Sequence, residues 1–363
     1  MSRATIWSPK RKEVRDALRP FARPSYWLAL TLVALDLCLY ALGSLTVVLA
    51  PGIGGKVVAS LVIALAISRM FVLGHDACHN SLTPSRRLNK WLGRALFLPT
   101  MSCASLWIAG HNVAHHGFPG LRGRDIPWVP LSPLQYSALP RGKRWRYRIF
   151  RSWWGAGIYY GLDVWWRQQY FPKGKVRPEF IRDSWLVTVF MGAQIAAYAW
   201  AAHATAQSIG AVLLLGIVVP FVVWLYLAAI VFYVHHTDET ARWFDDENEW
   251  RVAQPNLEGT HGTHLPMRID LVLHHALEHT AHHVNAAIPC YRLADAQRVL
   301  QARWPAEVPT RIITLRRYFA TTKACQLYDG KLHRWVTFAE ADAAAQGLAP
   351  ARPLHNLASG EPT

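Results

Sequence analysis

Residues 184–234 read SWLVTVFMGAQIAAYAWAAHATAQSIGAVLLLGIVVPFVVWLYLAAIVFYV, and this stretch contains no Asp, Glu, Lys or Arg. A helix needs about 20 apolar residues to cross a membrane, so the stretch is long enough for two crossings. Two further apolar runs precede it. The sequence therefore predicts an all-α integral membrane protein whose four transmembrane helices lie at about residues 26–50, 57–74, 184–203 and 209–234.

The chain carries a formal net charge of +16, although 52% of its 363 residues are hydrophobic. Residues 1–25 hold seven Lys or Arg against two acids, and residues 110–183 hold thirteen against four. Such an excess is typical of cytoplasmic segments. We therefore expect both termini and the 110–183 loop on the cytoplasmic side, of the inner or plasma membrane if the source is bacterial. No aromatic and basic module indicates a nucleic-acid partner.

The same patterns divide the chain into three parts. Residues 1–25 form a basic cytoplasmic N-terminus, residues 26–344 one membrane domain, and the tail 345–363, rich in Ala, Pro and Gly, is expected to be disordered. Within the domain, residues 91–109 are apolar but interrupted by an arginine and a proline. This segment is expected to be re-entrant or interfacial, and the loop 118–183 to contain interfacial helices.

The chain contains 17 histidines, and most of them fall in short groups. The stretches HDACH (75–79), HNVAHH (111–116) and HTAHH (279–283) place histidines three or four residues apart. On a helix, side chains at these spacings point the same way. Imidazole is the commonest metal ligand, and eight such side chains exceed the needs of one tetrahedral zinc ion. The groups therefore predict a cytoplasmic cap that holds two metal ions.

Packed without metal, these imidazoles would leave nitrogens unpaired at an apolar boundary, at a cost of about 1–3 kcal/mol each. This cost favours a ligand role for His75, His79, His111, His115, His116, His279, His282 and His283. The isolated histidines are more typical of ordinary core or loop residues, and we expect no ligand role for His203, His261, His264, His333 and His355.

Asp36 lies in the middle of the first predicted span, where a carboxylate costs about 2.5–3.5 kcal/mol on insertion scales. Two interpretations are open. The side chain faces a channel, or it pairs with a group on another helix.

The order HxxxH, HxxxHH and HxxHH around two pairs of spans resembles the membrane-bound fatty acid desaturase family. The stretch VHHTDETARWFDDENEW (234–250), followed by HTAHHVNAAIPCY (279–291), is most similar to the Δ12/ω-6 acyl-lipid branch. The similarity extends from about residue 70 to residue 300. The three motifs together are specific for the superfamily, but they are weak indicators of where the double bond is placed.

The resemblance implies an enzyme that uses two iron ions (Fe2+) and O2 to introduce a double bond into a long-chain fatty acyl group in the membrane. It implies that the eight histidines named above bind the iron. The family often has one more histidine after the fourth span, and His236 fits this position best, with His235 as the substitute. The sequence shows no fused haem, iron–sulfur or nucleotide-binding motif, so a separate ferredoxin- or cytochrome-type electron donor is implied.

Other functions remain open at this stage. Related di-iron membrane enzymes, among them hydroxylases, ketolases and fatty acid decarboxylases that form terminal alkenes, carry similar motifs. A membrane zinc hydrolase would need a catalytic glutamate, and Glu278 adjoins His279. A metal transporter would place its ligands near the middle of the bilayer, where these spans have almost none.

Overall fold

The computed structural model describes residues 9–170, 177–253, 255–266, 270–308 and 310–347. Most of the described residues are helical, and the small strands lie in the C-terminal part. The predicted tail 345–363 falls almost wholly outside these ranges. The helices are α1 Pro9–Leu18, α2 Tyr26–Leu49, α3 Ile53–Cys78, α4 Arg86–Phe97, α5 Ala104–Trp107, α6 Pro133–Ser137, α7 Arg141–Phe150, α8 Ala156–Tyr159, α9 Pro178–Ala204, α10 Ile209–Leu213, α11 Val219–His236, α12 Glu247–Val252, α13 Pro255–Glu258, α14 His279–Val284, α15 Cys290–Arg303, α16 Leu315–Ala324 and α17 Phe338–Ala345.

Three segments continue these helices with the wider π-helical turn. They are Ile108–His115 after α5, Tyr160–Tyr170 after α8, and Leu214–Val218 between α10 and α11. Short 3₁₀ turns occur at Arg19–Phe21, Leu98–Thr100 and Asp270–Leu273.

Four helices are long and apolar enough to cross a membrane: Tyr26–Leu49, Ile53–Cys78, Pro178–Ala204 and Ile209–His236. The prediction of an all-α membrane protein with four spans is confirmed. The second span is longer than predicted because it continues through the first histidine motif as far as Cys78. The helices therefore carry their histidines at their own ends rather than in the loops that follow.

Helices α3 and α11 form the centre of the bundle. Phe71 of α3 contacts Trp224 of α11 and Trp107 of α5 edge-on, with ring centroids 5.3 and 4.9 Å apart. Such pairs are favourable because the edge of one ring meets the electron-rich face of the other. Helices α2 and α9 lie outside and expose most of their apolar side chains, as expected for helices that face lipid.

The segment between the second and third spans turns back instead of crossing. Residues Arg86–Thr100 and Ala104–His115 form two helical arms bent by 104°. Gly74 lets the first arm approach α3, since a Cβ at this position would lie 2.5 Å from the Phe97 ring. The second arm brings His111 into contact with His75, so both arms lie at the same end of the bundle. The re-entrant interpretation of residues 91–109 agrees with this path.

The C-terminal part covers that end of the bundle. Strand β1 (Gly262–His264) pairs in parallel with β2 (Thr310–Ile312), and β3 (Leu327–Asp329) pairs antiparallel with β4 (Arg334–Val336). Helices α14 and α15 pack on one another and on α1, and α14 also contacts β1. This arrangement places the third histidine motif, which begins α14, above the ends of α3 and α11.

Candidate metal centre

Five histidines from three separate segments converge at the end of α3. Their nearest ring nitrogens all lie within 4.8 Å of one another. The Nε2 atom of His111 lies 2.9 Å from Nε2 of His75 and 3.1 Å from Nε2 of His116. The Nε2 atom of His116 also lies 3.0 Å from Nε2 of His282. We call this set group A, and its members are His75, His79, His111, His116 and His282.

Four further histidines converge beside group A, and they too lie within 4.8 Å of one another. Nε2 of His236 lies 3.1 Å from Nε2 of His115 and 2.7 Å from Nε2 of His279. The ring of His283 stacks on His116 of group A at 4.2 Å, so the two sets share a wall. This second set, group B, consists of His115, His236, His279 and His283.

The structure corrects one expectation about the second motif. Sequence spacing predicts that His111 and His115 share a helical face, but His111 lies in group A and His115 in group B. The reason is the π-helical turn of Ile108–His115, which has more residues per turn than an α-helix. It brings residues five apart together, so His111 meets His116. One short segment thereby supplies both groups.

The third motif is divided between the groups in the same way. His279 and His283 are four residues apart on α14 and both belong to group B, whereas His282 points to group A. At the first motif, by contrast, His75 and His79 lie together, as predicted from their spacing.

The ring nitrogens of these groups are better suited to bind a metal than to form hydrogen bonds with one another. A neutral imidazole nitrogen carries either one proton or one lone pair, so it satisfies one such contact and not two. Yet Nε2 of His236 approaches two other nitrogens, and so does Nε2 of His116. Nε2 of His79 and both ring nitrogens of His283 are buried with no hydrogen-bond partner among the described residues. A metal ion in each group would accept the one free lone pair of each of these imidazoles.

Protonation is also suppressed at this site. Burial first, and then neighbouring histidines, lower the pKa of His79, His111 and His116 well below the usual value of imidazole. The same causes lower the pKa of His282 and His283 well below it. Neutral imidazole is the form that binds metal, so the site is held in its ligating state.

Two carboxylates orient histidines from outside the groups. The buried Asp125 lies 2.8 Å from Nδ1 of His115, and Asp76 lies 3.1 Å from Nδ1 of His75. A carboxylate on Nδ1 leaves the lone pair of Nε2 for a metal. Asp76 is itself held by the backbone N–H of Cys290 at 2.5 Å. Neither acid was predicted from the sequence as a partner of the histidines, although Asp76 adjoins a histidine of the first motif.

The structure also separates His235 from His236. His236 belongs to group B, whereas His235 stacks on His279 with centroids 4.0 Å apart and lies outside both groups. Of the histidines expected to be isolated, His264 lies with Asp270 and Glu278 in a third buried set that could hold a cation. The Glu278 carboxylate lies 3.3 Å from His264 and belongs to neither group A nor group B, so it is not placed as the base of a zinc hydrolase.

Asp36 pairs across helices. It is fully buried, and its two oxygens lie 2.5 Å from Nε of Arg69 on α3 and 2.6 Å from Nε2 of His274. Arg69 also donates to the carbonyl oxygens of Leu271 and Val272. The first span is therefore tied to the segment that leads into α14. Of the two interpretations open from the sequence, pairing is the one that the structure shows.

Two cavities reach the histidines from different sides. The first, which we call the membrane cavity, lies between α3 and α11, and its lining includes Val72, Ala228 and Phe232 together with His75 and His279. The second, the inner cavity, lies behind the re-entrant arm.

The lining of the inner cavity includes Gly110, His111 and His115. Phe232 lines both cavities. Both cavities are lined mostly by apolar side chains, as expected for a site that takes an alkyl chain.

Comparison with known proteins identifies the family to which the chain belongs. The model of the family described as fatty acid desaturase matches residues 51–314, more than half of the chain. The chain belongs to the fatty acid desaturase family. The matched residues contain all nine histidines of groups A and B.

Several characterised desaturases are similar to it. An sn-1 oleoyl-lipid 12-desaturase from Picosynechococcus is 26% identical over 276 residues, which cover 76% of this chain and 77% of the relative. A Synechocystis protein of the same name is 26% identical over 275 residues, which cover 75% of this chain and 76% of the relative. The chloroplastic omega-6 fatty acid desaturase of Brassica napus is 25% identical over 280 residues, which cover 75% of this chain and 60% of the relative.

These findings confirm the predicted family, its closeness to the 12/omega-6 acyl-lipid branch, and the predicted activity. This desaturase is a membrane-bound oxidoreductase that acts on fatty acyl chains. The alternatives considered from the sequence, namely a hydroxylase, ketolase, decarboxylase, zinc hydrolase or transporter, receive no support from the named relatives.

Proposed function

We propose that groups A and B would each hold one iron ion, and that the desaturase uses O2 to introduce a double bond into the acyl chain of a membrane lipid. The observation that carries the proposal is the convergence of buried imidazoles into two adjacent groups. The overall reaction is –CH2–CH2– + O2 + 2e⁻ + 2H⁺ → –CH=CH– + 2H2O. The proposed ligands are His75, His79, His111, His116 and His282 for one ion, and His115, His236, His279 and His283 for the other.

The donor set supports iron over zinc. Group A offers five imidazoles, one more than the tetrahedral coordination that zinc prefers. Imidazole also suits iron, and removal of hydrogen from an unactivated alkyl carbon is chemistry that a redox metal supplies when bound. The chain's own part is to hold neutral nitrogens in place, and Asp76 and Asp125 do so through Nδ1 of His75 and His115.

The surroundings of the histidines position an alkyl chain and exclude water. Trp107 stacks on His111 at 4.4 Å, and the apolar ring of Phe232 lines both cavities. We propose that the methyl end of the acyl chain lies in the membrane cavity, between α3 and α11. A narrow apolar slot fixes which carbons face the histidines, and alignment of the reacting carbons lowers the barrier.

The relatives suggest the position of the double bond. Two are named sn-1 oleoyl-lipid 12-desaturases and one is named an omega-6 desaturase. We propose that this desaturase acts at the same position of a lipid-bound oleoyl chain.

Two electrons per double bond come from a separate donor in this proposal. A ferredoxin- or cytochrome-type protein fits, because the sequence contains no haem, iron–sulfur or nucleotide-binding motif of its own. We propose that both termini and the histidine groups lie on the cytoplasmic side, where such donors are reduced, and the excess of basic residues in the N-terminus and the middle loop supports this orientation.

The test is fatty acid analysis by gas chromatography–mass spectrometry of a host that expresses the desaturase. Wild type, His282→Ala and His333→Ala are compared, since His333 is half-exposed and pairs with Glu249 away from the centre. We expect new unsaturated chains from wild type and His333→Ala, and none from His282→Ala at equal membrane levels. A terminal alkene or a hydroxylated chain as the product would contradict desaturation.

A further inference from the structure

An open pocket of about 780 Å³ lies between α4, the beginning of α9 and the π-helical segment 108–115. Four cationic side chains line it. Lys90 and Arg94 come from α4, and Arg177 and Arg182 come from the beginning of α9. We call it the basic pocket. The metal centre does not include any of these residues.

Two carboxylates offset only part of this charge. Asp183 is buried and lies 3.1 Å from Arg94 and 3.4 Å from Arg182. The exposed pair Arg177–Glu179 is separated by 3.6 Å. Lys90 has no carboxylate within ion-pair distance among the residues that the structure describes. The pocket therefore retains a surplus of two positive charges, which suits a phosphate group.

The floor of the pocket is apolar. Ile108 and Val113 are 38% and 63% exposed and line it from the same segment that carries His111 and His115. A ligand with an anionic head and an alkyl tail matches this combination of basic rim and apolar floor.

The basic pocket continues towards the metal centre. It shares Ala109 and Phe180 with an adjoining surface groove. The groove in turn shares Gly110 and Ile126 with the inner cavity, which reaches the histidines of both groups. Shared lining residues thus connect the basic pocket, by way of the groove, to the cavity beside the histidines.

The pocket also lies at the end of a membrane-spanning helix. Arg177 and Arg182 flank the first turn of a membrane-spanning helix, and Trp91 on the neighbouring α4 is 64% exposed. Basic pockets at helix ends and exposed tryptophans are typical of the membrane interface.

We propose that the basic pocket binds the phosphate of the acyl carrier, so that the desaturase takes acyl chains on a phosphate-bearing carrier in preference to a neutral one. The inference rests on the proposed function and names its substrate class. A phospholipid head group and the phosphates of an acyl thioester such as acyl-coenzyme A share this chemistry.

Native mass spectrometry of the iron-loaded desaturase in maltoside micelles tests this without turnover. The ligands carry the same chain: dioleoylphosphatidylglycerol, oleoyl-coenzyme A and neutral dioleoylglycerol. We expect wild type to bind at least one phosphate-bearing ligand about tenfold more tightly than dioleoylglycerol. Lys90→Gln/Arg177→Gln should lose this preference. Arg141→Gln/Lys143→Gln, which removes equal charge from the exposed face of α7, should keep it.

Preference for phosphatidylglycerol alone identifies a lipid carrier, as in the proposed function, and preference for oleoyl-coenzyme A alone identifies a thioester in place of the lipid. Equal affinity of wild type for all three ligands, or an equal loss in the α7 control, would overturn the inference. Because binding is measured apart from double-bond formation, a desaturase that keeps the phosphate preference but yields no unsaturated chains would refute only the proposed function.

Discussion

A carboxylate oxygen of Asp125 lies 2.8 Å from Nδ1 of His115, and both side chains are buried. The same carboxylate accepts the backbone N–H groups of Gly120 and Ile126, each at 2.7 Å. It is thus anchored on one side and orients an imidazole of group B on the other. We predict that Asp125→Asn lowers metal affinity or activity about 10- to 100-fold, because an amide NH2 must then face one of these donors.

Iron content and product yield of the purified variant check this prediction. Asp295→Asn is the matched control, since Asp295 is half-exposed and pairs with Arg298 on the surface of α15. Unchanged iron content and activity in Asp125→Asn would show that His115 needs no carboxylate to hold its orientation.

The buried cluster of Asp36, Arg69 and His274 makes a prediction about stability. Removing one partner of a buried ion pair leaves an uncompensated charge, at a cost of about 3–5 kcal/mol. We therefore expect Asp36→Ala to unfold at clearly lower temperature in detergent. Asp36→Leu/Arg69→Leu should recover most of the loss, because no charge then remains buried. A double variant less stable than Asp36→Ala would contradict this account of the cluster.

The membrane cavity makes a prediction about the chain length of the products. Ala228 is buried on α11 and lines the cavity, facing the space assigned to the methyl end of the acyl chain. Ala228→Phe fills part of this space, so longer chains should be rejected and the products should shift to shorter ones. Chain-length analysis of the unsaturated fatty acids measures the shift. Ala193→Phe, at a site on α9 that lines none of the described cavities, is the control.

The number and position of the spans could be predicted from sequence because charged residues are expensive in a bilayer and their absence is easy to read. The histidine motifs were equally visible, since close spacing of one rare residue type has few structural explanations. The division of the motifs between groups A and B was not visible in the sequence. It depends on the π-helical turn at Ile108–His115, for which the sequence gives no periodic signal.

Contacts between residues that are far apart in the chain could not be predicted from the sequence either. His274 lies 238 positions from Asp36, and no local pattern indicates that the two meet. Asp125 lies ten residues beyond His115 in an irregular loop, where spacing carries no information about direction. The basic pocket could not be predicted for a similar reason, since its cations come from two helices that are far apart in the chain, and the charge of the segment that contains Arg177 and Arg182 was interpreted as a sign of membrane orientation.

The most direct measurement is the metal content of the purified desaturase by inductively coupled plasma mass spectrometry, for wild type, His282→Ala of group A, His279→Ala of group B and His333→Ala as control. The account predicts two irons per chain in wild type and in the control, and about one in each of the other variants, because each removes a ligand of one ion only. A single zinc per chain in wild type, or two irons retained in both ligand variants, would contradict it.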